Sequence, residues 1–446
     1  MRTETPSIEE IRLPQSPAIP PQAGNKRSGG VLGVVWKTAQ VFGARILAQA
    51  ATFLAGVLVA RALGPAEFGL YSLALVGALL LAQIPGAGVD LSAVRISGRH
   101  THSAPQRAQA CLLAAGLIKL AVGLVFVTGA LVWADPIAER LIPRGAGGLA
   151  LRIAAVGALG QALTEFTLAA LQAHERFARI VWVSLVVAAI RFGPVALLAL
   201  LGRLTLSAAL MAFVAAAYAG LLVGVVASWR LWFAPRWPAG GVFRELASYG
   251  GWFTLATLVG TLASNLDLLA VSALLGAEAA GIYAAARNLT LPLAFAGSAL
   301  MAVVLPRLSA LGEQAHTTAV RVTIVAGALT LAGVSALVLL APPLFGLVYG
   351  GGYGGAIGVF QLLTVAYGFQ LVTWPALALV MVRDRPDIVA GLIVLVLIVT
   401  GIGYAVALPA LGMSGAALVF LSGYVLQFAA YAPWVWRTRG KAVSHE

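Results

Sequence analysis

Residues 63–74 read Leu-Gly-Pro-Ala-Glu-Phe-Gly-Leu-Tyr-Ser-Leu-Ala, and residues 275–286 read Leu-Gly-Ala-Glu-Ala-Ala-Gly-Ile-Tyr-Ala-Ala-Ala. At a separation of 212 residues, four residues of the first stretch coincide with identical residues of the second. They are Leu63, Gly64, Gly69 and Tyr71, which match Leu275, Gly276, Gly281 and Tyr283. The same separation relates Arg95 to Arg307. Because the turn residues and the arginine are all matched at the same separation of 212 residues, the sequence predicts an internal duplication of the chain.

The repeated stretch has the composition of a tight turn between two packed helices. Glycine adopts backbone conformations that other residues avoid, and it lets neighbouring helices approach closely. We therefore expect a structural role for the members of this repeated turn. They are Arg61, Gly64, Gly69, Tyr71, Gly276, Gly281 and Tyr283.

The bulk composition is that of a membrane protein. Of the 446 residues, 60% are hydrophobic and 10% are charged, and the mean hydropathy is +0.94. A soluble globular protein is about 45–50% apolar and about 25% charged. The composition therefore argues against a soluble enzyme and a nucleic-acid-binding protein. With Cys111 as the single cysteine, it also argues against a secreted disulfide scaffold.

Long apolar runs follow one another along most of the chain. A membrane-spanning helix needs about 20 residues, and the runs do not show the short alternating pattern of barrel strands. We predict an all-α polytopic membrane protein with about 12 transmembrane helices in two parallel six-helix repeats around a central cleft. The predicted spans lie near residues 39–62, 68–92, 108–134, 149–173, 178–202, 205–233, 247–275, 281–304, 318–341, 353–381, 387–410 and 413–436.

These runs divide the chain into five segments. Residues 1–30 are polar and rich in proline, which predicts a disordered cytoplasmic tail. We expect an N-terminal six-helix bundle over residues 31–233 and a C-terminal one over residues 247–436. A cytoplasmic linker over residues 234–246 joins the bundles, and residues 437–446 form a cytoplasmic tail.

The distribution of positive charge predicts the orientation. The formal net charge is +13, and the chain has 29 Lys and Arg residues. With the N-terminus in the cytoplasm, twenty of these 29 residues lie inside, five lie outside and four lie within spans. This bias follows the positive-inside rule and predicts an even number of spans with both termini in the cytoplasm.

Ionisable side chains within spans are unfavourable in lipid, so each one is a candidate functional residue. Basic residues outnumber acidic ones among these candidates, which favours an anionic ligand, because arginine offers the paired donors that suit phosphate. The candidates are Arg45, Lys119, Glu165, Arg191, Asp267, Arg287 and, near the end of a span, Asp90.

Arg287 and Asp267 are the strongest substrate-binding candidates. They lie about 9 Å and about 12 Å from the outer ends of adjacent helices, at a rise of about 1.5 Å per residue. At these depths they can pair when no ligand is bound, and a phosphate group can displace the carboxylate. Asn265 and Asn288 add polar surface, and Asp267 is also a candidate for ion coupling. The alternative is an ion pair with a purely structural role.

The remaining buried charges leave alternatives open. Arg45 lies near the cytoplasmic edge of the first span, where it either faces the cleft or extends to the lipid headgroups. Lys119, Arg191 and Glu165, the expected acidic partner in that half, form either a structural cluster or a substrate-binding and coupling site, with Glu165 as the coupling residue. We expect Asp90 at the membrane interface.

The sequence predicts neither a metal site nor a cofactor. The five histidines have no ligand spacing. The glycine-rich run at residues 349–355 lacks the Lys-Ser/Thr end of a phosphate-binding loop and the strand that precedes it. We therefore expect a mobile outer loop there.

Four short motifs resemble those of a known family. Residues 60–71 contain the string Arg-x-Leu-Gly-x-x-x-Phe-Gly-x-Tyr, and the other motifs lie at residues 94–95, 171–177 and 305–307. Over residues 35–436 the chain resembles the bacterial polysaccharide-biosynthesis flippases. These are the O-antigen (Wzx-like) members of the multidrug/oligosaccharidyl-lipid/polysaccharide exporter superfamily.

This resemblance implies an inner-membrane carrier of undecaprenyl-diphosphate-linked sugar units, and not an enzyme. In the family, arginines of helices one and eight face the cleft, which implies that Arg45 and Arg287 bind the diphosphate. The implied partners are the lipid-linked sugar diphosphate, membrane lipid, a polysaccharide polymerase and a chain-length regulator, with no nucleic acid. The related peptidoglycan-precursor flippase has two additional helices. Because no room for them is expected after residue 436, the O-antigen or exopolysaccharide branch is favoured.

Two other functions share this hydropathy pattern. A cation-coupled multidrug exporter of the same superfamily favours acidic over basic cleft residues. A membrane oligosaccharide polymerase or ligase carries a large external loop with catalytic residues, whereas the predicted loops are all short. The excess of buried basic residues therefore favours the flippase.

Overall fold

A computed structural model describes six stretches of the chain. The predicted tail 1–30 lies outside them, as do residues 234–239 of the predicted linker 234–246 and residues 438–446 of the predicted tail 437–446, so the assignment of these residues stays a prediction. Residues 240–246 of the predicted linker form the first turns of a helix. The described residues are 31–100, 104–141, 147–232, 240–311, 315–382 and 386–437.

The chain consists of two compact units. Residues 1–39 form the first unit, of which only the helical residues 31–39 are described. Residues 40–446 form the second unit. Within the second unit, we call residues 40–232 the N-half and residues 240–437 the C-half.

Every regular element in the described residues is helical, as the sequence predicts, and the short 3₁₀ turn Gly351–Tyr353 accompanies the α-helices. The helices are α1 (Val31–Gln83), α2 (Ala87–His100), α3 (Pro105–Val132), α4 (Ala134–Leu141), α5 (Gly147–Ala173), α6 (Phe177–Leu200), α7 (Leu206–Trp232), α8 (Gly240–Leu275), α9 (Ala277–Ala310), α10 (Ala315–Leu339), α11 (Ala341–Val348), α12 (Ala356–Val382) and α13 (Pro386–Arg437).

Ten helices in the described part of the chain are long and apolar enough to cross a membrane. Two of them, α1 and α13, are interrupted by a glycine in a non-helical conformation. Gly64 has φ 77° and ψ 177°, and Gly412 has φ 60° and ψ −144°. If α1 and α13 are each divided in two at these glycines, the ten helices become twelve segments, as many as the sequence predicts. The all-α, multi-pass fold is confirmed, and the count of twelve spans stays a prediction.

The predicted second span, residues 68–92, is divided in the structure. Helix α1 ends at Gln83, and a short turn separates it from α2. Pro85 lacks a backbone donor, and Gly86 has φ 116°, a conformation that favours glycine. After this break α2 packs against α3 and α8, with Asp90 in its first turn.

The two copies of the repeated turn share one backbone conformation. Gly276 has φ 87° and ψ −179°, close to the angles of Gly64. At such positive φ values an L side chain is strained, so both positions favour glycine. The predicted duplication is therefore visible in the backbone at the residues that indicate it in the sequence.

Each half packs around its own helices. In the N-half α5 packs against α3 and α7, and α6 packs against α7. In the C-half α12 packs against α9, α10 and α13, while α8 packs against α9 and α13. One continuous apolar core joins the halves, and it includes Phe68 and Tyr71 from the N-half and Tyr283 and Phe345 from the C-half.

Two glycine contacts bring the halves together backbone to backbone. Gly69 of α1 faces Gly281 of α9, and a Cβ atom on either residue would lie 2.9 Å from the backbone nitrogen of the other. Gly88 of α2 faces Gly250 of α8, where a Cβ atom on Gly250 would lie 2.9 Å from the carbonyl oxygen of Gly88. Because most of the second part of α1 separates Gly69 from Gly88, the two contacts lie at opposite ends of the region between the halves.

The glycine-rich run at residues 349–355 is anchored through two buried tyrosines. The Tyr353 hydroxyl donates to the carbonyl of Ala60 at 2.8 Å, and the Tyr349 hydroxyl donates to the carbonyl of Ala285 at 3.2 Å. Tyr353 is thus held against the N-half and Tyr349 against the C-half. These contacts differ from the mobile loop that the glycines predict.

Candidate functional site

A central cavity of about 220 Å³ lies between the halves. The N-half contributes Thr52 and Tyr71 to its lining, and the C-half contributes Asn265, Arg287 and Asn288. Among the described residues, Arg287 is the only charged side chain in this lining. The structure therefore brings three predicted substrate-binding residues together at the interface of the halves.

Arg287 forms the ion pair with Asp267 that the sequence predicts. The Arg287 Nη1 atom lies 3.3 Å from Asp267 Oδ1, and Nη2 donates to the carbonyl of Ser264 at 2.6 Å. The Tyr283 hydroxyl donates to Asp267 Oδ2 at 3.0 Å. The Asp267 side chain is 1% exposed and that of Arg287 is 18% exposed, so the cation and not the carboxylate reaches the cavity.

Three tyrosines that the sequence reasoning missed surround this pair. The Tyr367 hydroxyl of α12 interacts with the Arg287 guanidinium. Tyr424 of α13 lies with its ring centroid 6.1 Å from that of Tyr367, and Tyr404 interacts electrostatically with Asp267. Tyrosines within otherwise apolar runs are the one signal in the sequence. The sequence does not reveal that α12 packs against α9, or that α13 packs against α8 and α12.

Asn288 is held from two sides. Its Nδ2 atom would lie 2.9 Å from a Cβ atom on Gly56, so α1 approaches it closely. Its side chain also hydrogen-bonds to Tyr349, which lies outside the predicted spans. Burial raises the pKa of the Tyr349 phenol, so that this tyrosine remains a neutral hydrogen-bonding partner.

A second cavity, of about 420 Å³, lies within the N-half between α1, α5, α6 and α7. We call it the N-half cavity. Its polar lining comprises Gln49, Thr52, Gln161, Thr164, Glu165, Ser184 and Arg191, beside the ring of Phe213. The structure thus brings the predicted residues Glu165 and Arg191 to one cavity.

Arg191 has one donor without an acceptor in the N-half cavity. Its guanidinium carbon lies 5.0 Å from the centroid of the Phe213 ring, and its side chain hydrogen-bonds to the Tyr71 hydroxyl. The Nε atom is buried and has no hydrogen-bond partner. Glu165 Oε1 accepts a hydrogen bond from Gln161 Nε2 at 3.0 Å.

Lys119 forms its ion pair with Asp90 and not with Glu165, the acidic partner that the sequence suggests for it. Its Nζ atom donates to both carboxylate oxygens of Asp90, at 2.7 Å and 2.6 Å, and lies 5.7 Å from the centroid of the Phe166 ring. Asp90 is therefore an ion-pair partner, because the break after α1 packs α2 against α3. Lys119 lines neither the central cavity nor the N-half cavity.

The remaining predicted residues either lie away from the two cavities or have side chains that are not among the described residues. Arg45 lies in α1, but its side chain is outside the described residues, so its role stays a prediction. Arg61 is exposed beside the Gly64 turn. No group of three or more His, Cys, Asp or Glu side chains in the described stretches is placed to hold a metal ion.

Two halves of long apolar helices that enclose a cavity with a buried cation define a multi-pass membrane transporter. The family model for polysaccharide biosynthesis proteins matches residues 34–311, and the chain belongs to that family. No curated protein sequence matches the chain.

Solved structures of transporters share the fold. The lipid II flippase MurJ in an inward closed conformation has a TM-score of 0.75 and 13% sequence identity, covering 90% of this chain and 87% of that chain. An inward-facing multidrug resistance MATE family transporter of the MOP superfamily has a TM-score of 0.70 and 18% identity, covering 87% and 94%. A MOP superfamily transporter from Pyrococcus furiosus has a TM-score of 0.60 and 16% identity, covering 91% and 95%. The family and the fold are those of transporters and flippases rather than of enzymes.

Proposed function

We propose that the protein is a flippase that moves undecaprenyl-diphosphate-linked oligosaccharides from the cytoplasmic to the periplasmic leaflet by alternating access, for O-antigen or exopolysaccharide biosynthesis. The observation that carries this proposal is the position of Arg287. It is the one charged side chain among the described residues that line the central cavity, and Asn265 and Asn288 line the same cavity. Membership in the polysaccharide biosynthesis family and the likeness to a lipid II flippase support the same class of cargo.

The geometry of the ion pair suits an exchange of partners. Charge-assisted N–H···O hydrogen bonds are usually about 2.7–2.9 Å long. The contact between Arg287 and Asp267 is longer, at 3.3 Å, and involves one atom of each group. A diphosphate offers pairs of oxygens at the spacing that the two parallel donors of an arginine bind. Tyr283 keeps a hydrogen bond on the Asp267 carboxylate when Arg287 turns to the ligand.

Transport requires that the two halves separate. The central cavity of about 220 Å³ is small for a sugar diphosphate. The contacts of Gly69 with Gly281 and of Gly88 with Gly250 hold the halves together at two places. Rocking of the halves would open one glycine contact while the other stays closed, and the polyprenyl chain would remain in lipid.

The cellular setting is part of this proposal. The protein resides in the inner membrane, with both termini in the cytoplasm and its lipid-linked cargo drawn from the surrounding bilayer. A polysaccharide polymerase and a chain-length regulator act on the cargo after it is moved. The positive-inside bias and the family match support this setting.

Replacement of Arg287 tests the proposal. In cells that lack the wild-type copy, Arg287→Ala should abolish surface polysaccharide and cause lipid-linked oligosaccharide to accumulate, while the amount of protein in the membrane stays unchanged. Arg203→Ala is the matched control, because Arg203 is exposed between α6 and α7. Normal surface polysaccharide in the Arg287→Ala strain would contradict the role of this arginine.

A cation-coupled multidrug exporter is the second candidate function. The fold likeness to MATE transporters favours it, as do the buried carboxylate of Asp267 and the position of Glu165 in the N-half cavity. An exporter would raise the tolerance of a drug-sensitive host to lipophilic cations, and Asp267→Asn would remove that tolerance. A flippase would leave the tolerance of the host unchanged.

A further inference from the structure

We propose that the N-half cavity binds the sugar portion of the cargo, while the central cavity binds its diphosphate. The two chemically different parts of one ligand would then be recognised by different halves of the protein. This inference rests on the proposed flippase function and assigns a sugar subsite to residues that the diphosphate does not need.

The two cavities are neighbours with a thin partition. Thr52 lines both of them. Tyr71 lines the central cavity, and its hydroxyl hydrogen-bonds to Arg191, which lines the N-half cavity. A ligand held by Arg287 would reach the N-half cavity past the side chains of Thr52 and Tyr71.

The chemistry of the N-half cavity fits a carbohydrate. Sugar hydroxyls both donate and accept hydrogen bonds, and the lining offers carboxamides, hydroxyls, a carboxylate and a guanidinium. The Nε atom of Arg191 is a buried donor without an acceptor, and such groups are normally paired in proteins. A sugar oxygen would supply that acceptor, and Glu165 would accept from a sugar hydroxyl.

Charge and size point to the same assignment. Glu165 and Arg191 are the charged groups of the described lining, so the N-half cavity is neutral overall and favours neither a free cation nor an anion. Small-molecule sites usually have volumes of roughly 300–1,000 Å³. The N-half cavity, at about 420 Å³, falls in this range, whereas the central cavity, at about 220 Å³, does not.

Photo-crosslinking in cells that make the polysaccharide tests the assignment, whichever sugar the cargo carries. A small diazirine-bearing residue replaces Leu168 in the N-half cavity, Leu291 in the central cavity or Leu222, which is 67% exposed on α7. After irradiation, mass spectrometry of the adducts identifies the lipid, phosphate and sugar components. Only folded protein recovered from the membrane is used.

The expected adducts at Leu168 carry sugar, those at Leu291 carry the polyprenyl diphosphate, and those at Leu222 are ordinary phospholipids. In the Leu168 background, Gln161→Ala and Glu165→Gln should each lower the yield of sugar-bearing adduct about tenfold, since a site that hydrogen-bonds a hydroxyl discriminates strongly. Arg203→Ala, at an exposed position between α6 and α7, should leave the yield of sugar-bearing adduct at Leu168 unchanged.

Two results would overturn these proposals in distinguishable ways. Polyprenyl diphosphate adducts at Leu291 without sugar at Leu168 would refute the sugar subsite and leave the flippase intact. The absence of any polyprenyl-linked species at both positions, in protein of normal abundance, would refute the flippase itself.

Discussion

Lys119 with Asp90 in the N-half and Arg287 with Asp267 in the C-half form two ion pairs that are built in opposite ways. In the N-half, Lys119 is 1% exposed and donates to both oxygens of Asp90 at 2.6–2.7 Å, away from the two cavities. In the C-half the acid is the buried partner: Asp267 is 1% exposed, and Arg287 reaches the central cavity with a 3.3 Å contact.

We infer from this difference that the N-half pair has a structural role and that the C-half pair contacts the cargo. Lys119 directs two of its three donors to one carboxylate and lines neither cavity. A long contact through one atom leaves the arginine with donors for a ligand, while Tyr283 and Tyr367 stabilise its surroundings. Burial of a charge is common to both pairs, so burial alone does not identify a substrate contact.

The largest expected effect concerns the stability of the N-half pair. Lys119→Ala leaves Asp90 without its partner and should destabilise the protein by about 3–5 kcal/mol. The double variant Asp90→Ala/Lys119→Ala should recover most of this loss, because no unpaired charge remains. Thermal unfolding of the detergent-solubilised protein measures both variants. If Arg287→Ala were the more destabilising single change, the assignment of structural and functional pairs would be reversed.

The second prediction exchanges each pair for neutral groups of similar size. Asp267→Asn/Arg287→Gln should lower surface polysaccharide about 100-fold, because the diphosphate loses its charged partner. Asp90→Asn/Lys119→Gln should leave the polysaccharide output within about a factor of two of wild type, because neither residue lines the central cavity or the N-half cavity. Both variants are compared at equal amounts in the membrane. Equal losses in the two variants would show that both pairs serve transport.

Much of the fold is predictable because its signals are local. The apolar runs give the helices by their length, and the shared glycines at positions 64 and 276 give the turns, because each adopts a positive φ. The pairing of Arg287 with Asp267 is predictable for the same reason. Their helices are consecutive, so counting residues from the Gly276 turn fixes their relative depth.

The rest of the site depends on contacts between helices that are distant in sequence. Asp90 reaches Lys119 because the chain breaks at Gly86 and α2 then packs against α3. Tyr367 reaches Arg287 because α12 packs against α9. Hydropathy and depth do not specify which faces of such helices meet.

The third prediction tests whether the glycine contact between the halves controls access to Arg287. Gly281→Ala places a Cβ atom against the backbone of α1, and such overpacking disfavours the closed contact by about 1–3 kcal/mol. With Cys111→Ala as background, a Ser72→Cys reporter in the central cavity should react about tenfold faster with a maleimide added outside the cell. Gly260→Ala, where a Cβ atom meets nothing within 4 Å, should leave the rate unchanged. An unchanged rate in both variants would contradict the gating role of the contact.

The smallest expected effect concerns the hydroxyl group that helps to hold Arg287. Tyr367→Phe keeps the ring packing against Phe420 and Tyr424 but removes the interaction with the guanidinium. The loss of one such hydrogen bond is worth about 0.5–1.5 kcal/mol, so initial flipping rates in reconstituted vesicles should fall about threefold to tenfold. Tyr218→Phe, which removes a 3.1 Å bond to the carbonyl of Val156 in the N-half, is the control and should have no such effect. Equal effects of the two substitutions would show that the Tyr367 hydroxyl supports the fold in general. The hydroxyl groups around Arg287 would then not distinguish the Arg287–Asp267 pair from the Lys119–Asp90 pair.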